Sequence, residues 1–214
     1  SAAEWAEKYR KMKRINPSDP PIVPWLWHYV PWLKAMHEDT SEFTVAQKSA
    51  QAGFSEWALN LAFYLIDIHG QDILYVLPTK NPDATNFTAA RFNPALEMSP
   101  HLRSLFSAVD NVSHKRAGNA NLYIVGSRAR TALKSKPCNV VFLDELEEMV
   151  QKNIELAFAR TDGKWEKRIV MLSTPSIAGK GINFHFQKTD QSHFFFRCPG
   201  CSRMTELVYP QCLV

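Results

Sequence analysis

Several short apolar runs, each stopped by a breaker or a polar residue, constrain this chain more than any other feature. Asp72–Leu77 stops at Pro78, and Arg168–Ser173 is followed by Pro175. Leu122–Val125 and Asn139–Leu143 are equally short and apolar. Runs of this length, bounded in this way, read as strands buried on both faces. Between them lie stretches with helical spacing: Phe54–Ile68, closed by Gly70, then Pro82–Leu96, Ala129–Ser135 and Val150–Arg160. A further strand is expected at Phe43–Gln47. Strands alternating with helices require crossover connections, so an α/β fold with a mainly parallel central sheet flanked by helices is expected.

The ends differ from this middle. Trp5, Tyr9 and Met12 predict a helix over residues 3–14. Asn16–Pro24 carries four prolines, which forbid a regular helix and predict an extended arm or linker. Trp25, Trp27, Tyr29 and Trp32 follow, as a hydrophobic cap or as a flat surface for a base. His193–Arg197 and Thr205–Tyr209 predict a strand pair around Cys198 and Cys201. The expected organisation is an N-terminal helical arm on the adenine side over 1–40, a core over 41–190, and a cysteine-containing strand pair over 191–214.

Composition excludes several classes. With 45% hydrophobic and 21% charged residues the chain is neither disordered nor collagen-like. Its apolar stretches fall far short of the ~20 residues a membrane span needs, and the charged first segment lacks the apolar core of a secretion signal. A cytosolic protein is expected. Three of the four cysteines fall at the C-terminal end, which reads as a metal knuckle or as chance rather than as a disulfide framework. Net charge is only +4, but between His101 and Lys136 seven Lys/Arg face one acid, Asp110. Such a segment is either a phosphate-meeting surface or a solvated face.

The first strand-to-helix junction reads Lys48, Ser49, Ala50, Gln51, Ala52, Gly53, Phe54, Ser55. A phosphate loop ordinarily carries a glycine at the first of these positions and a lysine at the seventh. Here Lys48 and Phe54 stand there instead, while Gly53 and Ser55 are in place. Gly53 lets the backbone approach phosphates, and the following helix offers free N–H groups. Ser55 can ligate Mg²⁺, and the cation comes from Lys48. An ordinary turn is the competing reading.

Val140, Val141, Phe142 and Leu143 are followed by Asp144 and Glu145. A buried parallel strand ending in this way delivers two carboxylates to the sheet edge where open α/β folds bind ligands. Asp144 would hold Mg²⁺ and Glu145 would activate water. The alternative is a solvated acidic turn, because Glu147 and Glu148 follow. Ile169–Leu172 then ends in Ser173 and Thr174, suited to sensing a terminal phosphate or simply to forming a turn.

In this order the blocks resemble the large subunit of lambda-type tailed-phage DNA-packaging terminases, in its ATPase region. The displaced lysine of Lys48–Ser55 resembles that family's deviant Walker A loop. Leu74–Thr79 resembles its second-strand block, and Phe92–Pro94 through Ser99 and Pro100 the helix after it. Ala117 and Gly118, Leu122–Ser127 and Leu133–Pro137 resemble the block before Walker B. Asp144 and Glu145 match Walker B with its catalytic acid, Leu172–Pro175 matches the coupling motif, and Asp190 with Cys198–Cys201 resembles a late cysteine-pair block. The resemblance runs from about residue 22 to 209.

What it implies is a P-loop ATPase of the RecA/ASCE type that drives double-stranded DNA into a procapsid, with ATP and Mg²⁺. Lys48 and the Gly53 backbone would hold phosphates, Ser55 and Asp144 the Mg²⁺, and Glu145 the water. Ser173 and Thr174 would couple hydrolysis to movement. Gln47 or Trp32 would serve the adenine. Arg160 is the first candidate for the transition-state arginine, with Arg128 and Arg130 as others. Arg128, Arg130, Lys134 and Lys136 are expected to face DNA. Cys198 and Cys201 would offer two Zn²⁺ ligands, with Cys212, His185 or His193 to complete a site. The implied partners are the small terminase subunit, the portal protein and further copies of the chain in a ring, in the cytoplasm of an infected bacterium. The family's nuclease domain would lie outside this chain. A helicase-like ATPase and a non-hydrolysing nucleotide- or DNA-binding module are the alternatives.

Overall fold

The computed structural model describes residues 1–106, 109–111, 113–134 and 136–206. Helix α1 (Ala2–Tyr9) is opened by a capping box between Ser1 and Glu4. It leads into a small antiparallel pair, β1 (Lys11–Lys13) with β2 (Ile22–Pro24). After α2 (Trp32–Glu38) comes β3 (Phe43–Gln47), then the long helix α3 (Phe54–His69) and β4 (Ile73–Leu77). An irregular helical run follows, containing α4 (Thr85–Phe87), α5 (Asn93–Met98) and α6 (Pro100–Leu105). Strands β5 (Val109–Asn111), β6 (His114–Ala117) and β7 (Ala120–Gly126) form a meander. Next are α7 (Arg130–Lys134), β8 (Val140–Asp144), α8 (Gln151–Phe158), β9 (Arg168–Ser173) and α9 (Gly181–Phe186). A short hairpin of β10 (Phe196–Arg197) and β11 (Met204–Thr205) completes the described chain.

The central sheet has seven strands in the order β3-β9-β8-β4-β7-β6-β5. The first five are mutually parallel, and β6 and β5 extend one edge antiparallel. Every residue of β4, β8 and β9 is buried, as a strand covered on both faces requires. One face is covered by α3, with Trp57, Leu61 and Phe63 in a core that also takes in Trp5, Trp25 and Leu33 from the first forty residues. The other face packs Leu133, Cys138 and Ile154 against Leu74, Val141 and Met171. Strand β9 lies between β3 and β8, so the loop after β3 and the acids after β8 flank one strand end.

The expected middle strands and helices are present with boundaries shifted by a residue or two. Three expectations need correction. The first helix does not run to residue 14, because Arg10 turns extended and buries its guanidinium against Asn60 and Glu56, freeing Lys11–Lys13 to pair with β2. The arm over Asn16–Pro24 therefore returns as a strand at its end. The helix over Pro82–Leu96 is interrupted by wide turns at Lys80–Ala84 and Thr88–Phe92. Helices α6 and α9 and the β5–β6 hairpin were not foreseen. Residues 207–209 of the last predicted strand lie outside the described residues.

Candidate active site at the carboxyl edge of the sheet

Strand β3 runs beside β9 as far as the Gln47–Ser173 pair. The Lys48 N–H then donates to the Ser173 carbonyl at 3.0 Å, so the loop leaves the sheet still tied to β9. Gln51 and Gly53 adopt left-handed backbone, with φ of 58° and 81°. A Cβ on Gly53 would lie 3.1 Å from Leu33 Cδ1, so glycine answers both torsion and space there. Phe54 packs edge-on to Trp57 and against the core. It therefore contributes no polar group to the loop, and the cation comes from the other end, at Lys48.

Lys48 is 8% exposed. Its Nζ lies 2.8 Å from Glu145 Oε1, joining the two motifs across 97 residues of sequence. Glu145 itself sits at φ 62°, ψ 51°. Left-handed backbone at a glutamate is strained, and such strain concentrates at functional sites. Its N–H donates to the Leu172 carbonyl at 2.9 Å.

Asp144 is 1% exposed. The Tyr75 hydroxyl donates to its Oδ2 at 2.7 Å. Burial pushes the Asp144 carboxyl above its usual range, and the Tyr75 and Ser55 hydroxyls moderate the rise. Its Oδ1 nevertheless has no partner at hydrogen-bond geometry. A buried, unpartnered carboxylate oxygen beside a serine hydroxyl fits a divalent cation, because oxygen donors suit Mg²⁺. Ser55 and Asp144 would hold it.

Ser173 is fully buried, and its Oγ accepts the Glu147 N–H at 3.1 Å. One residue thus touches the loop after β3 through its carbonyl and the acidic turn after β8 through its hydroxyl. Thr174 is exposed and makes no such link. Glu147 fastens the following segment: its carboxylate accepts from Ser176 Oγ and from the Ile182 N–H, each at 2.9 Å. On the far side, Asn183 Nδ2 donates to Gln47 Oε1 at 2.8 Å. Helix α9 is therefore tied to both motifs, and Gln47 is engaged with it.

A cavity of about 490 Å³ opens beside these groups. Ser55, Asp144, Glu145, Thr79, Arg91 and Arg128 are among the residues that line it. Tyr75, Thr79 and Arg91 were not foreseen. Tyr75 is the one hydroxyl in the run Ile73–Leu77, and that was the available signal. Arg128 is placed at this cavity.

Arg160 is not brought to the site. Its carbonyl accepts from the Cys138 N–H, at the start of β8. Asp144 and Glu145 lie at the other end of that strand, roughly 16 Å away for five residues of strand. Its guanidinium binds the Leu156 and Lys134 carbonyls instead. Trp32 Nε1 donates to the Ala52 carbonyl at 2.9 Å, and its ring packs against Phe194 and Phe196, so it braces the loop from outside. The basic segment is dispersed. Lys115 is buried over the Phe92 ring, Lys136 lies over Tyr123, and Arg130 and Lys134 are exposed on α7.

The zinc expectation finds two ligands only. Among the described residues no cluster of three His, Cys, Asp or Glu side chains could hold a metal ion. Backbone N–H groups of Cys201 and Gly200 lower the Cys198 thiol, but His193 pairs with Glu206 instead of approaching it. Cys212 lies outside the described residues. Among the described residues no helix is long and apolar enough to cross a membrane.

Parallel sheet, loop after β3, acids after β8 and intervening β9 are the architecture of the P-loop NTPase fold. Solved structures with this fold include the ATPase domain of the Thermus phage P74-26 large terminase, with a TM-score of 0.56 and 16% identity over 77% of this chain and 72% of that one. The large terminase of bacteriophage HK97 has a TM-score of 0.65 and 12% identity over 85% of this chain, which spans only 38% of that protein. The bacteriophage Phi-29 genome packaging motor assembly has a TM-score of 0.50 and 12% identity, covering 82% of this chain and 55% of that one. No curated protein matches the sequence. The family described as phage terminase large subunit gpA, ATPase domain, matches residues 23–213, and this chain belongs to it.

Proposed function

We propose that this domain hydrolyses ATP with Mg²⁺ to move double-stranded DNA into a procapsid, as part of a ring of like chains at a portal, supplied by a small terminase subunit in the infected host's cytoplasm. The observation that carries the chemistry is the meeting of Lys48, Glu145 and the unpartnered Asp144 carboxylate at one sheet edge.

Without nucleotide, Lys48 is held by Glu145. Entering phosphates compete for that ammonium, while the Ala52–Ser55 backbone at the α3 N-terminus receives their charge. Glu145 is then released to orient water and accept its proton. Ser55 and Asp144 would hold Mg²⁺, which would supply charge neutralisation at the phosphates. Ser173 bridges both motifs, so it is the coupling residue this geometry favours over Thr174.

The test is steady-state ATP hydrolysis with Mg²⁺, wild type beside Glu145→Gln, with and without linear duplex DNA. Hydrolysis in the wild type that disappears in the variant is the expected result. Equal rates in both proteins would overturn the reading.

A further inference from the structure

Trp165 is fully exposed, whereas Trp5, Trp25 and Trp57 are buried and Trp27 and Trp32 pack against the core. It stands on the turn between α8 and β9, at the amino edge of the sheet. Asp144 and Glu145 lie at the opposite edge. An apolar side chain on a surface is ordinary by itself. What sets this one apart is its mount. The Lys164 N–H donates to the Thr161 carbonyl at 3.2 Å. Thr161 is buried, and its hydroxyl donates to the Phe158 carbonyl at 3.0 Å. Gly163 supplies left-handed backbone within the turn, with φ of 78°. On the other side, Gln71 Nε2 donates to Glu166 Oε2 at 2.9 Å, and Lys167 pairs with Glu42 at 3.0 Å. The turn is tied down on both sides of the indole, and the ring itself is left bare.

Cations gather beside it. The Arg160 guanidinium donates to the Leu156 and Lys134 carbonyls, which draws the end of α7 alongside the end of α8. Burial pushes the neighbouring Cys138 thiol up to about 12, and the charges of Lys164 and Arg160 both oppose that rise. Lys136 lies over the Tyr123 ring at 4.1 Å. Lys134, Lys136, Arg160 and Lys164 therefore share one end of the α7–α8 layer. The acids close to them are engaged: Glu166 with Gln71, Glu42 with Lys167, and Asp72 with the N–H and side chain of Asn121.

A rigidly presented aromatic face beside several cations matches the way single-stranded nucleic acid is held, with bases stacked on rings and phosphates met by charge. Inside a duplex both faces of a base are covered by its neighbours, so only an unpaired or terminal base offers a face to an indole. We infer that Trp165, with Lys164, Arg160, Lys134 and Lys136, forms a binding site for an unpaired DNA strand or a frayed DNA end, separate from the ATP site. This rests on the DNA-handling reading above and adds a class of DNA structure to it.

The test is anisotropy of three labelled DNAs: an oligothymidylate of about 16 nucleotides, a blunt duplex, and the same duplex with an unpaired tail. Each is titrated with wild type, Trp165→Ala, Trp165→Phe and Lys164→Ala. The indole is bare, so matched thermal melts are expected. Trp165→Ala should lose about tenfold or more in affinity for the single strand and the tailed duplex, the size of one lost base stack. Its affinity for the blunt duplex should stay within about twofold. Trp165→Phe keeps a stacking face and should recover much of the loss, while Lys164→Ala should flatten the salt dependence of single-strand binding. If Trp165→Ala binds the single strand as wild type does, or loses affinity for the blunt duplex by the same factor, the inference fails and the DNA-handling reading stands. Wild type that binds none of the three DNAs overturns that reading, and this inference with it.

Discussion

Replacing Glu145 by glutamine should stop turnover and tighten nucleotide binding at once. The carboxylate holds Lys48 Nζ at 2.8 Å, with the lysine side chain 6% and the glutamate 41% exposed. Phosphates cannot take Lys48 without breaking this pair. A fully buried pair would resist strongly, but the half-exposed carboxylate is screened, so the contact is worth about 1 kcal/mol. Glutamine keeps the shape and one hydrogen bond and removes the charge, which returns most of that energy to binding, about fivefold in affinity. Loss of the proton acceptor should lower the rate by about 10²–10⁴. Removing a negative charge near a triphosphate would tighten binding for a trivial reason too, and a double-mutant cycle separates the two. Calorimetric titration of ATPγS should show the gain in the Lys48 background and little of it beside Lys48→Met. An equal gain in both backgrounds, or weaker binding by Glu145→Gln, would refute the competition for Lys48.

Three further outcomes follow from the same geometry. Tyr75→Phe removes the donor to a buried carboxylate, so the Asp144 pKa should rise further and Mg²⁺-dependent binding should require higher pH, with about 1.5–3 kcal/mol lost in chemical denaturation; an unchanged pH profile would contradict the role given to Tyr75. Gly53→Ala forces a side chain into left-handed backbone 3.1 Å from Leu33, at a cost of about 1–2 kcal/mol, and should weaken nucleotide binding more than it lowers the melting temperature. His37 is buried between the Leu33 carbonyl, which its Nδ1–H meets at 2.7 Å, and Asn60, which donates to Nε2. Burial lowers its pKa to about 4 from 6.5, so its neutral form stabilises the fold above pH 6.5. That contribution, up to about 3 kcal/mol at 1.4 kcal/mol per pH unit, is lost as pH falls from 6.5 to about 4. Melting curves of wild type and His37→Gln should converge in slope above that window and diverge within it.

The middle of the fold was legible because fully buried parallel strands leave an unmistakable trace. Val140–Asp144 and Arg168–Ser173 are short, apolar and stopped by polar residues, and nothing else satisfies both faces of a covered sheet. Phe43–Gln47 and the α3 start were equally plain, from the glycine and hydroxyl pattern between them. What sequence reasoning missed depended on pairing at a distance. The β5–β6 hairpin is polar and short, so no apolar period announces it. Arg10 ends the first helix only because Glu56 and Asn60 wait for it fifty residues along. Within the site, Lys48, Ser55, Asp144 and Glu145 were readable from spacing, since local motifs carry them. Arg160 was placed by its nearness in sequence to the acids, and the strand direction carries it to the opposite edge. Arg128 was read both as an alternative transition-state arginine and as one of four DNA-facing cations, because only the cavity distinguishes it from its neighbours.

The double attachment of α9 has a mechanical corollary. Glu147 pins the entrance of that helix and Gln47 its flank, so it stands as a strut between the two walls of the cleft. The chain beyond it continues to Phe194 and Phe196, which lean on Trp32 and through it on the Ala52 carbonyl. Linkage is reciprocal. If nucleotide at the cleft shifts the strut, tension applied to the strut must shift nucleotide affinity by the same free energy. A motor built on this domain would then feel its load at the nucleotide cleft directly, as a change in affinity, without any separate gauge.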